Sequence, residues 1–265
     1  MPSYLITGAN RGLGYGFVQQ ILHQDPSNVV IGLVRDKASA DAKVAGAGLK
    51  NVHFVQGDIS NYASLVEARE AVSAITGGKL DYLINNAAYL GRTTEGAGIE
   101  DFVDDAGIEK LNKELRDAFE VNVVGVVDTI NVFLPLIKKG DVKKIVVISS
   151  GMADPDLVNN GKVHTGAAYS ISKAAVNLAV AKYNARLADQ GVLVFALSPG
   201  VVSTWDPSSP EPAAVQNLRQ MVPGWSGPLT PTESADACLK VIQTFSVENG
   251  NGGSFVSHHG TKEWL

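Results

Sequence analysis

The sequence predicts an α/β fold: a single-domain doubly wound parallel sheet with helices on both faces. Three observations carry this. Seven short runs rich in apolar and β-branched residues alternate with helix-like segments. The runs are near-continuously apolar, as strands buried on both faces must be. A β-α-β-α beat of this kind builds a parallel sheet whose right-handed crossovers put helices on both sides. Finally, 265 residues suit one large domain, and no linker divides them.

In chain order, strands are predicted over 4–6, 29–34, 52–55, 80–84, 145–148, 193–197 and 254–256. Helices are predicted over 12–23, 62–75, 108–137, 167–188 and 232–245. The last helix has the clearest start. Thr230, Pro231 and Glu233 match an N-cap, a proline at the first helical position and a capping-box acid. Seven of the eleven prolines fall between 199 and 231, so 201–229 reads as an excursion within the one domain, 1–265. Proline fixes φ and removes a donor, which keeps such a segment out of regular structure.

Composition narrows the function. A net charge of -5 argues against a nucleic-acid partner, which selects a basic footprint. The single cysteine, Cys238, rules out an internal disulfide and any multi-cysteine metal site. It is expected to pack in the last helix, and no metal is expected. The most apolar stretch, 121–137, is interrupted by Asn122, Asp128 and Asn131, so no membrane span is expected. The first strand begins too early for a secretory leader, and a cytoplasmic location is the expectation. His258 and His259 are adjacent and read as late strand just past 254–256, which would aim them at opposite faces and prevent them sharing a metal.

The chemistry begins at Gly8-Ala9-Asn10-Arg11-Gly12-Leu13-Gly14, between the first strand and the first helix. Glycines let a backbone approach a phosphate, and a helix N-terminus offers free N–H groups to a pyrophosphate. An ordinary strand-to-helix turn has the same composition. Tyr169 and Lys173 stand four apart on a helix, hence on one face. A nearby ammonium favours a phenolate and would lower the phenol's pKa towards a usable range. A surface Tyr–Lys pair is the alternative. Ser149 and Ser150 end a buried strand, where they either terminate it or donate to a substrate oxygen. Asn122 breaks an apolar helical run, and a buried amide needs partners. Asp58 is either a turn residue or a ligand contact.

These motifs together resemble the short-chain dehydrogenase/reductase family. Thr7-Gly8-x-x-x-Gly12-x-Gly14, Asn85-Asn86-Ala87-Ala88, Asn122-x-x-Gly125, Ser150, Tyr169-x-x-x-Lys173 and Pro199-Gly200 occur in the family's order along nearly the whole chain. Asn10-Arg11-Gly12-Leu13-Gly14 and the C-terminal Gly-Thr-Lys-Glu-Trp-Leu are similar to the branch of carbonyl reductases, sniffer-like and C-factor-like proteins, and fungal norsolorinic-acid-ketoreductase-like enzymes. Ala88 departs from the family's glycine.

The resemblance implies a Rossmann-type fold and NADPH-dependent reduction of a ketone, aldehyde or quinone to an alcohol. Tyr169 would be the proton donor, with Ser150 and Lys173, and Asn122 would join a water-bridged relay to Lys173. Cofactor contacts would come from Gly8, Asn10, Arg11, Gly12, Leu13, Gly14, Arg35, Asp58, Ile59, Asn85, Ala87, Tyr169, Lys173, Pro199, Gly200, Val202 and Thr204. Arg35 ends the second strand where an NAD-type site carries an acid, so NADP(H) is expected, with Arg11 as second cation and Asp36 as the complication. The family's usual dimerising helices correspond to 108–137 and 167–188, which implies a homo-dimer or homo-tetramer. The excursion carries Trp205, Leu218, Met221, Val222 and Trp225 with one cation, Arg219, which suits a neutral, apolar or aromatic carbonyl substrate. Asp154, Asp156 and His164 lie in the long loop before Tyr169 and would shape its pocket. Non-catalytic dinucleotide binding, a dehydratase, an epimerase or an imine reductase are the alternatives on this fold.

Overall fold

The computed structural model describes residues 1–91, 96–206, 208–212, 215–216, 218–219, 222 and 224–265. Met221, Pro207 and Pro223 of the excursion lie outside them. Seven strands form one sheet in the order β3-β2-β1-β4-β5-β6-β7: β1 Ser3–Thr7, β2 Val29–Val34, β3 Val52–Gln56, β4 Tyr82–Asn85, β5 Lys144–Ile148, β6 Leu193–Ser198 and β7 Phe255–Ser257. Every neighbouring pair is parallel. The order reverses between β1 and β4, which opens a crevice at their carboxyl ends.

Successive side chains point to opposite faces of a strand, so each strand feeds two cores. On one face Tyr4, Ile6, Ile84, Val146 and Phe195 pack with Phe17 and Ile21 of α1 (Gly12–Gln24) and with Leu239 and Ile242 near the C-terminus. On the other face Leu5, Leu83, Ile145, Val147 and Val194 meet helices from the middle of the chain. These are α3 (Tyr62–Thr76), α5 (Gly125–Ile137) and α7 (Ala167–Leu187).

Two helices escape the sequence pattern. The first, α2 (Lys37–Ala47), buries only Ala40 and Val44, so its apolar stripe is too thin to read. The second, α6 (Pro155–Asn160), is a short turn capped by Asp154, which accepts from the N–H groups of Asp156 and Leu157. The last helix, α8 (Pro231–Thr244), starts as expected, with the Thr230–Glu233 capping box in place. The predicted helix 108–137 is α4 (Asp105–Phe119) joined to α5 by a π-helical turn at Glu120–Val124. Asp105–Ile137 is long and apolar enough to cross a membrane by length and composition alone, a test that a buried core helix also passes. More than half of its most apolar window is buried inside this protein, where it covers the sheet.

Candidate active site

The expected site residues gather at the carboxyl edge of the sheet. Gly8 follows β1, Arg35 follows β2, Asp58 follows β3, Asn85 ends β4, Ser150 follows β5 and Pro199 follows β6. Parallel topology alone brings together residues up to two hundred positions apart.

The glycine turn is built for close approach. Gly8 and Gly12 take left-handed φ of 70° and 53°, which side chains with a Cβ rarely adopt. A Cβ on Gly14 would collide with the Gly8 carbonyl oxygen. Asn86 fixes the far wall: its Nδ2 donates to the Thr7 carbonyl at 2.9 Å, while Thr7 Oγ1 accepts from the Asn86 and Ala87 N–H groups. Thr204 packs over Gly12, 3.2 Å from where a Cβ would stand. Leu13 and Ile59 are buried, and the Ile59 carbonyl lies against Gly125. The Pro199 carbonyl accepts from Ser234 Oγ at 2.7 Å, and Val202 bridges Leu229 at the neck of the excursion.

Both side-chain polar atoms of Asn85 are buried and have no hydrogen-bond partner among the described residues, immediately beside this turn. Asn10 is held from the α2 side, its carbonyl accepting from Lys43 Nζ at 3.0 Å. Arg11 and Arg35 are exposed at the same edge. Asp36, the NAD-type complication, is committed as the N-cap of α2, accepting from Ser39 N–H at 3.0 Å. Burial works to raise the Asp58 carboxyl, but the Ser60 hydroxyl and N–H, with Arg35 nearby, hold it below the usual range.

Around Tyr169 the geometry is tight. Ser149 turns away and donates to Asn177 Oδ1 at 2.7 Å. Ser150 instead lies close enough to the Tyr169 hydroxyl to oppose, in small part, the effect of burial on it. Lys173 is buried, its Nζ 5.6 Å from the Tyr169 ring centre and donating to the Ile148 carbonyl at 2.7 Å. The expectation that Lys173 lowers the Tyr169 pKa is corrected here. Tyr169 keeps part of its surface open, yet burial pushes its phenol up to about 12, against a smaller opposing effect of Ser150. Burial also brings Lys173 down to about 8. Desolvation penalises both charged forms and is the largest cause at each. Tyr169 therefore holds its proton at neutral pH.

Asn122 lies in the π turn, wholly buried. Its carboxamide bonds the Tyr89 N–H, the Tyr89 carbonyl and Ser172 Oγ. Among the described residues its side chain has these three partners, and Lys173 is not one of them.

Comparison with known proteins agrees with this geometry. The family model described as short chain dehydrogenase matches residues 3–208. The chain belongs to the short-chain dehydrogenase family. It is 47% identical over 273 residues to the short-chain dehydrogenase/reductase AacuF of Aspergillus aculeatus, covering all of both chains. It is 43% identical over 279 residues to the short chain dehydrogenase virK of Hypocrea virens, again covering all of both. Among solved structures, NADPH-bound carbonyl reductase from chicken fatty liver superposes with a TM-score of 0.80 at 25% identity, covering 98% of this chain and 93% of that one.

This short-chain dehydrogenase holds site features that the sequence did not announce. Lys43 sits on the unpredicted α2. Asn86 carries the wall of the glycine turn; the sequence offers it as a member of the Asn85-Asn86-Ala87-Ala88 motif but not among the expected cofactor contacts. Asp154 and His164 bond locally, to the α6 backbone and the Lys162 carbonyl, rather than into the pocket. The two late histidines are also corrected. β7 ends at Ser257, the chain turns, and the His258 and His259 rings meet at 3.9 Å instead of facing apart. The C-terminal Trp264 enters the sequence reading only as a member of the Gly-Thr-Lys-Glu-Trp-Leu motif, with no role at the site. It stacks on Phe255 at 4.4 Å and packs against Gly151, beside Ser150.

Proposed function

We propose that this dehydrogenase reduces the carbonyl of a neutral, bulky, apolar or aromatic compound to an alcohol, with NADPH as reductant. The observation that carries the reading is the Ser150–Tyr169–Lys173 cluster at the mouth of the sheet crevice, with buried Lys173 placing its Nζ 5.6 Å from the Tyr169 ring centre. Reduction of a carbonyl needs a hydride at carbon, which bound NADPH supplies, and a proton at oxygen. Tyr169 arrives protonated and gives its proton to the oxygen. Ser150 donates to the same oxygen as charge develops and steadies the phenolate left behind. Lys173, anchored on the Ile148 carbonyl, fixes a positive charge beside the ring. Asn122 acts as a positioning residue through Tyr89 and Ser172.

The residues present fit a dinucleotide. The Gly8–Gly14 cradle, which a Cβ would fill, suits a pyrophosphate at the α1 N-terminus. The unpartnered Asn85 amide suits a hydrogen-bonding ligand. Arg11 and Arg35 suit a ribose 2′-phosphate, Asp58 and Ile59 the adenine side, and Pro199, Gly200, Val202 and Thr204 the nicotinamide side. Residues 201–229 cover the substrate. Within them Arg219 is paired with Glu211 at 3.1 Å and lies over Trp225, which favours an uncharged ligand. Exposed Phe119, Ile171 and Leu178 on α4 and α7 favour a homo-oligomer. The test is NADPH oxidation with a panel of ketones, aldehydes and quinones. Turnover of bulky aromatic carbonyls is expected, and no turnover with any of them would refute the reading.

A further inference from the structure

Three helical lysines pair with an acid four residues away: Lys37 with Asp41, Lys113 with Asp117 and Lys240 with Asp236. Lys43 of α2 behaves differently. It is in no ion pair among the described residues, and Asp41, the acid nearest to it in sequence, is the one engaged by Lys37. Its side chain runs back to the glycine turn instead. There its Nζ donates to the Asn10 carbonyl at 3.0 Å and stands 3.9 Å from the centre of the Tyr15 ring. An ammonium over a tyrosine face at that distance is attracted by the ring.

These two contacts bracket Arg11. The Asn10 carbonyl belongs to the peptide bond that leads into Arg11, and the Tyr15 N–H donates to the Arg11 carbonyl at 3.2 Å. Arg11 is the N-cap of α1, with extended backbone and no capping bond from its side chain. The direction in which its guanidinium leaves the turn is therefore set by the backbone that Lys43 holds. The support behind Lys43 is firm: Asp36 caps the start of α2, and Ala40 and Val44 are buried in the core against which Tyr15 packs. Lys43 also brings a third positive charge to an edge that carries Arg11 and Arg35. A phosphate monoester holds a charge of about −1.5 to −2 near neutral pH, so it gains from every cation that screening leaves in reach.

We propose that Lys43 is a positioning residue for the choice between NADPH and NADH: by holding the Asn10–Arg11 peptide and the Tyr15 ring it sets Arg11 for a ribose 2′-phosphate, and its charge adds to those of the two arginines. The inference deepens, and rests on, the assignment of Arg11 and Arg35 to that phosphate. NADP⁺ and NAD⁺ differ only there. A residue that acts through Arg11 changes the ratio of the two affinities, whereas one that only keeps the turn folded changes both together.

The experiment measures binding apart from turnover. NADP⁺ and NAD⁺ are titrated by calorimetry into the full-length wild type, Lys43→Met, Lys43→Arg and Arg35→Ala. Methionine keeps an unbranched stem and removes the charge and the donor; arginine keeps both and still stacks on a ring. Lys43→Met is expected to lower the NADP⁺ preference by about ten-fold, with NAD⁺ affinity changed by no more than about two-fold. Lys43→Arg should keep the preference within about three-fold of wild type. Should Lys43→Met not fold, Lys43→Leu gives the same comparison. An unchanged preference in Lys43→Met, or equal weakening of both cofactors, overturns the inference. Arg35→Ala separates the two readings. If it lowers the preference and Lys43→Met does not, the arginine assignment stands and the role of Lys43 falls. A wild type that binds NAD⁺ as tightly as NADP⁺ sinks the arginine assignment itself, and the role of Lys43 with it.

Discussion

Asn122 grips the Tyr89 peptide at both ends, its Oδ1 accepting from the Tyr89 N–H and its Nδ2 donating to the Tyr89 carbonyl, each at 2.8 Å. The same Nδ2 reaches Ser172 Oγ at 2.9 Å, and Ser172 donates to the Tyr169 carbonyl at 2.7 Å. One side chain in the π turn thus ties the loop after β4 to the helix that carries Tyr169 and Lys173.

Asn122→Ala should strand buried polar groups on both sides of that tie. About 1–3 kcal/mol of stability is expected to go, which for a domain of this size lowers Tm by a few degrees. As a positioning residue it should lower kcat far more than it changes KM, and Asn122→Asp should recover less than Asn122→Gln loses. Calorimetry and steady-state kinetics check this; unchanged kcat alongside a lowered Tm would leave only a structural role.

Lys173 links pH to both rate and stability. Its folded pKa is about 8, below the unfolded 10.5. If the charge beside Tyr169 matters, kcat for reduction should fall as pH rises through about 8. The stability sign is opposite. Between those pH values the unfolded chain holds a proton that the folded chain has released, so stability rises with pH. Lys173→Met, which avoids charging a buried ammonium, should therefore be inactive, and its stability advantage over wild type should shrink from pH 8 to pH 10.5. Thermal melts across that window provide the check.

Gly14→Ala should lose dinucleotide binding, because the new methyl meets the Gly8 carbonyl of a turn that cannot widen. Gly46, inside α2, has nothing within 4 Å of its would-be Cβ. Gly46→Ala should be neutral or add about 0.5–1 kcal/mol. A thermal shift on adding NADPH, present in Gly46→Ala and absent in Gly14→Ala, is the expected pattern.

Arg35→Asp should cut the preference for NADPH over NADH by about ten-fold or more in kcat/KM, since it replaces a fork suited to phosphate by an acid suited to ribose hydroxyls. With Asp36 occupied at the α2 cap, no native acid competes for that role. A wild type that already prefers NADH would reverse the assignment of Arg11 and Arg35.

The strands and long helices were legible because continuous apolar runs and a regular beat are local signals. Ser150, Tyr169 and Lys173 were legible as motif members, and the topology brings them together. What stayed hidden depends on long-range packing. α2 has almost no apolar stripe, so Lys43 had no element to stand on. The phenol's upward shift depends on how deeply Tyr169 lies, which the four-residue spacing to Lys173 does not encode. The pairing of His258 with His259 turns on β7 ending at Ser257, two residues earlier than a strand through both would require. Trp264 reaches Gly151 only because the tail folds back across the sheet edge.

The central claim is that Tyr169 supplies the proton to a carbonyl oxygen. Tyr169→Phe keeps the ring and removes the hydroxyl that lies beside Ser150. Single-turnover NADPH oxidation with an aromatic ketone should slow by about 10²–10⁴-fold while NADPH affinity changes by no more than about three-fold. A rate within a few-fold of wild type at the same affinity would contradict the account.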